Sequence, residues 1–99
     1  MKRLILSLML SISLINPAYA ASETKSSVSK QWKINWKEYG SDLYPQLKRY
    51  EKYRNCQGLQ NIFNLSVQDN KAHAKKYGHN NVNLMKYIDH LLRRAKCYK

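Results

Sequence analysis

Residues 80–95 read Asn-Asn-Val-Asn-Leu-Met-Lys-Tyr-Ile-Asp-His-Leu-Leu-Arg-Arg-Ala. The apolar residues of this stretch recur three and four positions apart, which is the spacing of one face of an α-helix. Asn80 or Asn81 would cap the start of the helix. We expect charged side chains outward and the following residues inward: Leu84, Ile88, Leu91, Leu92 and Ala95.

Three segments upstream have the same helical spacing, at residues 28–39, 43–53 and 59–77. No run of the chain combines period-two alternation with β-branched residues, and no Asn-Gly or Asp-Gly turn occurs. The pattern therefore predicts an all-α fold, a small bundle of three to four short helices. We expect one helical domain over residues 28–99, preceded by a flexible polar tail at residues 21–27.

The three glycines, Gly40, Gly58 and Gly78, each follow a helical stretch. Glycine often ends a helix because it tolerates the left-handed conformation, so the three are predicted to mark helix ends. Gly58 leaves an alternative open. A glycine inside a helix costs only about 1 kcal/mol, so the second and third segments could form one long helix.

The first twenty residues have the organisation of an export signal. Lys2 and Arg3 precede an apolar run over residues 4–15, and Ala18-Tyr19-Ala20 matches a cleavage site. We expect cleavage after Ala20 and a periplasmic or secreted protein. Its richness in lysine, asparagine, tyrosine and isoleucine is typical of bacteria. An uncleaved membrane anchor is the alternative, but the apolar run is short for the ~30 Å hydrocarbon core of a bilayer.

Cys56 and Cys97 are the only two cysteines. Outside the cytosol such a pair is expected to be oxidised, and only one intramolecular pairing exists. We predict a Cys56–Cys97 disulfide at the rim of the bundle, since both residues fall away from the apolar stripes. A bridge between two chains, or two free thiols, are the alternatives.

Charge indicates the class of partner. The chain has 18 basic and six acidic residues, and removing residues 1–20 takes away two of the basic ones, which leaves a net charge of +10. Such a charge attracts acidic surfaces and polyanions. An acidic protein of the cell envelope is the expected partner, with an anionic membrane surface or a polyanion as alternatives.

Cations and aromatic residues alternate along residues 44–54, a mixture that suits the binding of acidic groups. A second basic cluster near the C-terminus would be brought beside this stretch by the disulfide. The interpretation as the rim of the core, with solvated cations, stays open. The predicted partner-binding residues are Tyr44, Lys48, Arg49, Tyr50, Lys52, Tyr53, Arg54, Arg93, Arg94 and Lys96.

Motifs of enzymes are absent: the sequence has no His-Glu-x-x-His, Gly-x-Ser-x-Gly, phosphate-binding glycine loop or Cys-x-x-Cys. No two histidines stand four positions apart, so no metal site is predicted. We expect no catalytic activity, no cofactor and no small-molecule substrate. Trp32 and Trp36 are expected in the core, although they could instead place the first helix on a membrane surface.

These observations predict an exported, small, basic, helical binding protein that docks an acidic protein of the envelope. Such proteins include accessory, exclusion, immunity and inhibitor proteins. A cationic membrane-active toxin, or a binder of nucleic acid or lipopolysaccharide, is the alternative.

Overall fold

A computed structural model describes residues 23–98, so the predicted signal peptide lies outside the described residues. Five α-helices and one 3-10 helix, with no strand, form this part of the chain. The all-α prediction is confirmed, but the number of helices is five rather than three to four. The helices are α1 (Lys25–Trp32), α2 (Leu43–Lys52), α3 (Cys56–Gln68), α4 (Asn70–Tyr77) and α5 (Val82–Arg94), with the 3-10 helix (Trp36–Glu38) between α1 and α2.

Helix α5 is the centre of the bundle and packs against α1, α2 and α3. The predicted inward face is confirmed, and Tyr87 is also fully buried on it. The core around α5 is completed by side chains from α1, the segment after it, the 3-10 helix, α2 and α3, namely Val28, Ile34, Trp36, Leu47 and Leu59. Burial of these apolar side chains on one shared helix supplies the main stabilisation of the fold.

The prediction of a helix over residues 28–39 is wrong for the second half of that range. Helix α1 ends at Trp32, and Lys33 adopts a left-handed conformation with φ of 57°. After this turn Ile34 and Trp36 both enter the core, at 3% and 5% exposure. A helix continued through Tyr39 would point these two residues, two positions apart, in different directions. Packing of both against α5 therefore overrides the helical spacing.

The tail predicted for residues 21–27 is helical from Lys25 onward. Thr24 and Ser27 form a capping box, in which each side chain bonds the other residue's backbone N–H. Glu23, just before the cap, contacts Lys48 and Arg94 on α2 and α5. These contacts fix the start of α1 to the bundle.

The third predicted helix is divided at Asp69 into α3 and α4. The break coincides with a buried polar network around Asn81, which is 1% exposed. The Asn81 side chain donates to the carbonyl of Ser66 and accepts from the hydroxyl of Tyr39, while its backbone N–H donates to the side chain of Asn70. Asn81 therefore joins several elements and does not cap α5, although it stands at the cap position.

Gly58 lies inside α3, so the prediction that it ends a helix is wrong, and so is the alternative of one long helix. The chain breaks between α2 and α3 at Arg54, which has φ of 53°, and Asn55 caps α3 by accepting from the N–H of Gly58. The prediction for Gly78 is confirmed, because it ends α4 with φ of 83°.

The predicted Cys56–Cys97 disulfide is confirmed, with a Cα–Cα distance of 5.5 Å. It joins the first residue of α3 to the segment that follows α5, and both cysteines are only half-buried, as expected for the rim. Beside it, the guanidinium of Arg54 donates to the carbonyl oxygens of Ala95 and Lys96, at 2.8 and 3.0 Å. Two links therefore hold the end of α5 against the start of α3.

Candidate functional site

Two of the predicted partner-binding cations, Lys48 and Arg94, share one ion-pair cluster with Glu23 and Glu51. Lys48 Nζ lies 3.2 Å from a Glu51 carboxylate oxygen and also contacts Glu23. Arg94 bridges the same two glutamates, with its Nη2 3.0 Å from Glu23. The charges of Lys48 and Arg94 are thus compensated, and their first role is to join the start of α1, α2 and α5.

The two glutamates of this cluster have lowered pKa values. The hydrogen bond from Arg94, aided by Lys48 and opposed by burial, lowers the pKa of Glu23 to about 2. Burial alone would raise the pKa of Glu51, but the hydrogen bond and charge of Arg94 outweigh it and leave that pKa below its ordinary value. Both carboxylates are therefore ionised at neutral pH.

Tyr44 and Tyr50 are half-buried and contact other side chains of the protein. Tyr44 is half-buried and lies edge-on to Trp36, with ring centroids 5.1 Å apart. Tyr50 is half-buried, and its hydroxyl accepts from the side chain of Gln46. For these two residues the geometry agrees with the interpretation as the rim of the core.

The remaining predicted residues lie at the end of the bundle that carries the disulfide. We define the disulfide-end surface as Arg49, Lys52, Tyr53, Arg54 and Lys96, all exposed. Tyr53 is 72% exposed, and Lys52 Nζ lies 5.5 Å from the centre of its ring. Among residues 23–98, none of its four cations forms an ion pair. Arg93, the last predicted residue, is exposed and pairs with Asp89 at 2.9 Å.

A second cluster, not predicted from the sequence, forms at the opposite end of α3, where Glu38 meets two histidines. His73 Nε2 lies 2.8 Å from Glu38 Oε1, and His79 Nε2 lies 2.8 Å from Glu38 Oε2. The three side chains come from the 3-10 helix, α4 and the turn before α5. One possible ligand atom from each of the three residues lies within 4.8 Å of the other two. We call this group the Glu–His cluster.

Neighbouring groups fix the orientation of both histidine rings. The His73 ring, which is almost fully buried, is stacked on Tyr39 at 4.8 Å with an interplanar angle of 6°, and Tyr77 lies on it at 4.6 Å. The Nδ1 atom of His79 lies 3.3 Å from the carbonyl oxygen of Asn80. Both ring nitrogens of His79 thus face oxygen acceptors.

The electrostatics of the cluster favour an ionised Glu38. Burial alone would raise the pKa of Glu38, but the hydrogen bonds from His79 and His73 outweigh it and leave that pKa below its ordinary value. The hydrogen bond to Glu38, followed by that to Asn80, raises the pKa of His79. The Glu38 carboxylate therefore favours a positive charge on the ring of His79.

Sequence reasoning missed this cluster because its members are 35 and 41 positions apart along the chain. The one signal available was the position of His73 on the apolar face of its predicted helix. A buried histidine needs a polar partner, but the position alone does not say which kind of residue supplies it. The sequence alone did not identify Glu38 as that partner.

The tryptophans are core residues, as expected. Trp36 is buried, and Trp32 packs against the core, with its ring 5.0 Å from that of His90 and 5.6 Å from that of Tyr87.

Within residues 23–98 no helix combines the length and the apolar character required to cross a bilayer. Comparison of the chain with protein-family models, curated proteins and solved structures found no significant match.

Proposed function

We propose that this protein is an exported, non-catalytic binding protein that docks an acidic protein of the cell envelope through the disulfide-end surface. The observation that carries the proposal is a set of four exposed cations that form no ion pair within residues 23–98, one of which, Lys52, lies 5.5 Å from the centre of the exposed ring of Tyr53. Uncompensated cations attract an acidic partner, and a flat aromatic ring can be desolvated against it.

The rigidity of this surface also supports the proposal. Arg54 and Lys96 both have left-handed backbones, and the Arg54 side chain is held by the carbonyl oxygens next to Cys97. The disulfide fixes the same two segments. A surface that is ordered before binding loses little conformational entropy on association, so its contacts contribute more to affinity.

The protein would act by binding to and covering the acidic surface of its partner. Long-range attraction by the net positive charge would speed the encounter, and the cations of the disulfide-end surface would set the orientation. Tyr53 would then be buried at the centre of the contact. In this role the protein would block or complete an envelope assembly without changing a covalent bond.

Two charge-reversed variants with the same net charge test the proposal. The first carries Arg49→Glu, Lys52→Glu and Lys96→Glu at the disulfide-end surface. The second carries Lys37→Glu, Lys71→Glu and Lys75→Glu, all exposed and on elements at the other end of α3. That helix has 13 residues and is therefore about 20 Å long.

Each variant and the unchanged protein would be used as bait in envelope extracts, and the captured protein would then be purified for direct calorimetric binding. We expect the first variant to lose at least tenfold in affinity and the second to lose much less. Equal loss in both variants would show that only net charge matters and would contradict the proposed surface. Retention of full affinity by the first variant would contradict it as well.

The alternative functions would give different results. A membrane-active toxin would release dye from anionic vesicles, whereas the proposed docking protein leaves them intact. A general polyanion binder would bind nucleic acid and lipopolysaccharide with affinity that falls steeply with salt and depends little on the identity of the polyanion.

A further inference from the structure

We propose that the Glu–His cluster is a zinc-binding site, in which Glu38, His73 and His79 are the protein ligands. This site is independent of the disulfide-end surface and lies at the other end of α3. The proposal starts from the donor set. Two imidazole nitrogens and one carboxylate oxygen form a ligand combination that zinc sites use, with a further position left for water or another ligand.

The distances between the donor atoms are suited to a bound ion. Zinc–nitrogen and zinc–oxygen bonds are about 2.0 to 2.2 Å, so two tetrahedral ligand atoms lie about 3.3 Å apart. Each Nε2 atom now lies 2.8 Å from a carboxylate oxygen of Glu38, and all the ligand atoms lie within 4.8 Å. Zinc entry therefore requires the short contacts to open by about 0.5 Å and the widest pair of ligand atoms to close by up to about 1.5 Å.

The outer contacts of the site orient the histidines as ligands. Metal-bound histidines usually donate their other ring N–H to a carbonyl or carboxylate oxygen, and this contact fixes which nitrogen binds the metal. In His79 the Nδ1 atom faces the carbonyl oxygen of Asn80, which leaves Nε2 directed at Glu38. Stacking on Tyr39 and contact with the tilted ring of Tyr77 hold the His73 ring in place.

Access and local charge are compatible with binding. The His79 side chain is 55% exposed, whereas those of His73 and Glu38 are 3% and 9% exposed. An ion could thus enter from the side of His79, whose exposed ring can rotate to admit it. Asp69 and Lys76, which line the adjoining depression, carry opposite charges and offset one another near the site.

The Nε2 atom of each histidine faces a carboxylate oxygen of Glu38, so a zinc ion among these atoms would link two imidazoles to one carboxylate. The ion would thereby join the 3-10 helix, α4 and the turn before α5.

The test is calorimetric titration of the tag-free protein with zinc chloride at neutral pH. We expect one zinc ion per chain. The substitutions Glu38→Gln and His79→Ala should each weaken binding at least tenfold, whereas His90→Gln, which changes the one histidine outside the cluster, should leave it unchanged. Circular dichroism would establish that each variant keeps its helices, and the exposure of His79 makes that variant the one least able to disturb the fold.

A second readout is the visible absorption of the protein loaded with Co²⁺, which is intense when the ion has four ligands. We expect this absorption in the unchanged protein and in His90→Gln, and its loss in His79→Ala. Zinc affinity that is the same in His79→Ala as in the unchanged protein would overturn the proposal. The absence of zinc binding by the unchanged protein would overturn it too, and neither result would bear on docking at the disulfide-end surface.

Discussion

Gly58 occupies a position in α3 at which any larger side chain would meet the ring of Tyr50. A Cβ atom built there would lie 2.8 to 2.9 Å from three ring carbons of Tyr50. The sequence placed a glycine within a helical pattern but could not show its reason, because the contact is between two helices. Gly58 is required because α3 approaches the ring of Tyr50 on α2 closely, and not because it ends a helix. The break between α2 and α3 lies at Arg54 and Asn55.

We expect Gly58→Ala to lower the free energy of unfolding by about 1 kcal/mol. Alanine favours a helix by about 1 kcal/mol over glycine, but forcing a half-buried ring aside costs about 1 to 3 kcal/mol. In a Tyr50→Ala background the clash is absent, so the same change should stabilise the protein. Urea unfolding of the four proteins would measure the coupling, and equal effects of Gly58→Ala in both backgrounds would disprove the contact.

At the scale of elements, the spacing of apolar residues predicted where helices form better than where they end. The inward face of α5 could be predicted because its periodicity is local and uninterrupted. The turn at Lys33 and the break at Asp69 could not, since they depend on Trp36 reaching α5 and on the network around Asn81. Those are contacts between elements distant in sequence.

The attachment of α1 provides a prediction on pH. The Glu23 carboxyl has a pKa of about 2 against an ordinary value of 4.5, so its ionised form stabilises the folded state. That contribution is complete above about pH 4.5 and should be lost as the pH falls towards 2. We expect Glu23→Gln to be less stable than the unchanged protein by about 1 kcal/mol at neutral pH, with a difference that shrinks through this range.

Urea unfolding between pH 2.5 and 7 would measure this difference. Asp42→Asn is a suitable control, because Asp42 is exposed and forms no ion pair among the described residues. A stability difference for Glu23→Gln that stays constant down to pH 2.5 would show that the carboxylate is not held by Arg94 and Lys48.

For the whole molecule, the disulfide could be predicted because two cysteines allow a single pairing within the chain. The Glu–His cluster could not, because its three residues meet only after the breaks at Lys33 and Asp69 have placed the 3-10 helix beside α4. That the basic surface binds a partner stays a prediction. Which cations stay uncompensated depended on the positions of Glu23 and Glu51, which the sequence does not reveal.

The disulfide should contribute about 4 kcal/mol to stability, because it closes a loop between cysteines 41 positions apart and so restricts the unfolded chain. We expect the double variant Cys56→Ala/Cys97→Ala to stay helical. Its free energy of unfolding, measured by urea unfolding, should be lower by about that amount. Loss of less than 1 kcal/mol would indicate that the bonds from Arg54 to the carbonyl oxygens of Ala95 and Lys96 alone keep these segments together.

The position of the bridge also bears on cleavage by proteases. Helices α3, α4 and α5 all lie between the two cysteines, and so does the exposed turn at Gly78, His79 and Asn80. A single cut in that turn would open the ring without releasing either piece. The nicked chain would migrate as one species on a non-reducing gel and would separate into two peptides only after a thiol is added.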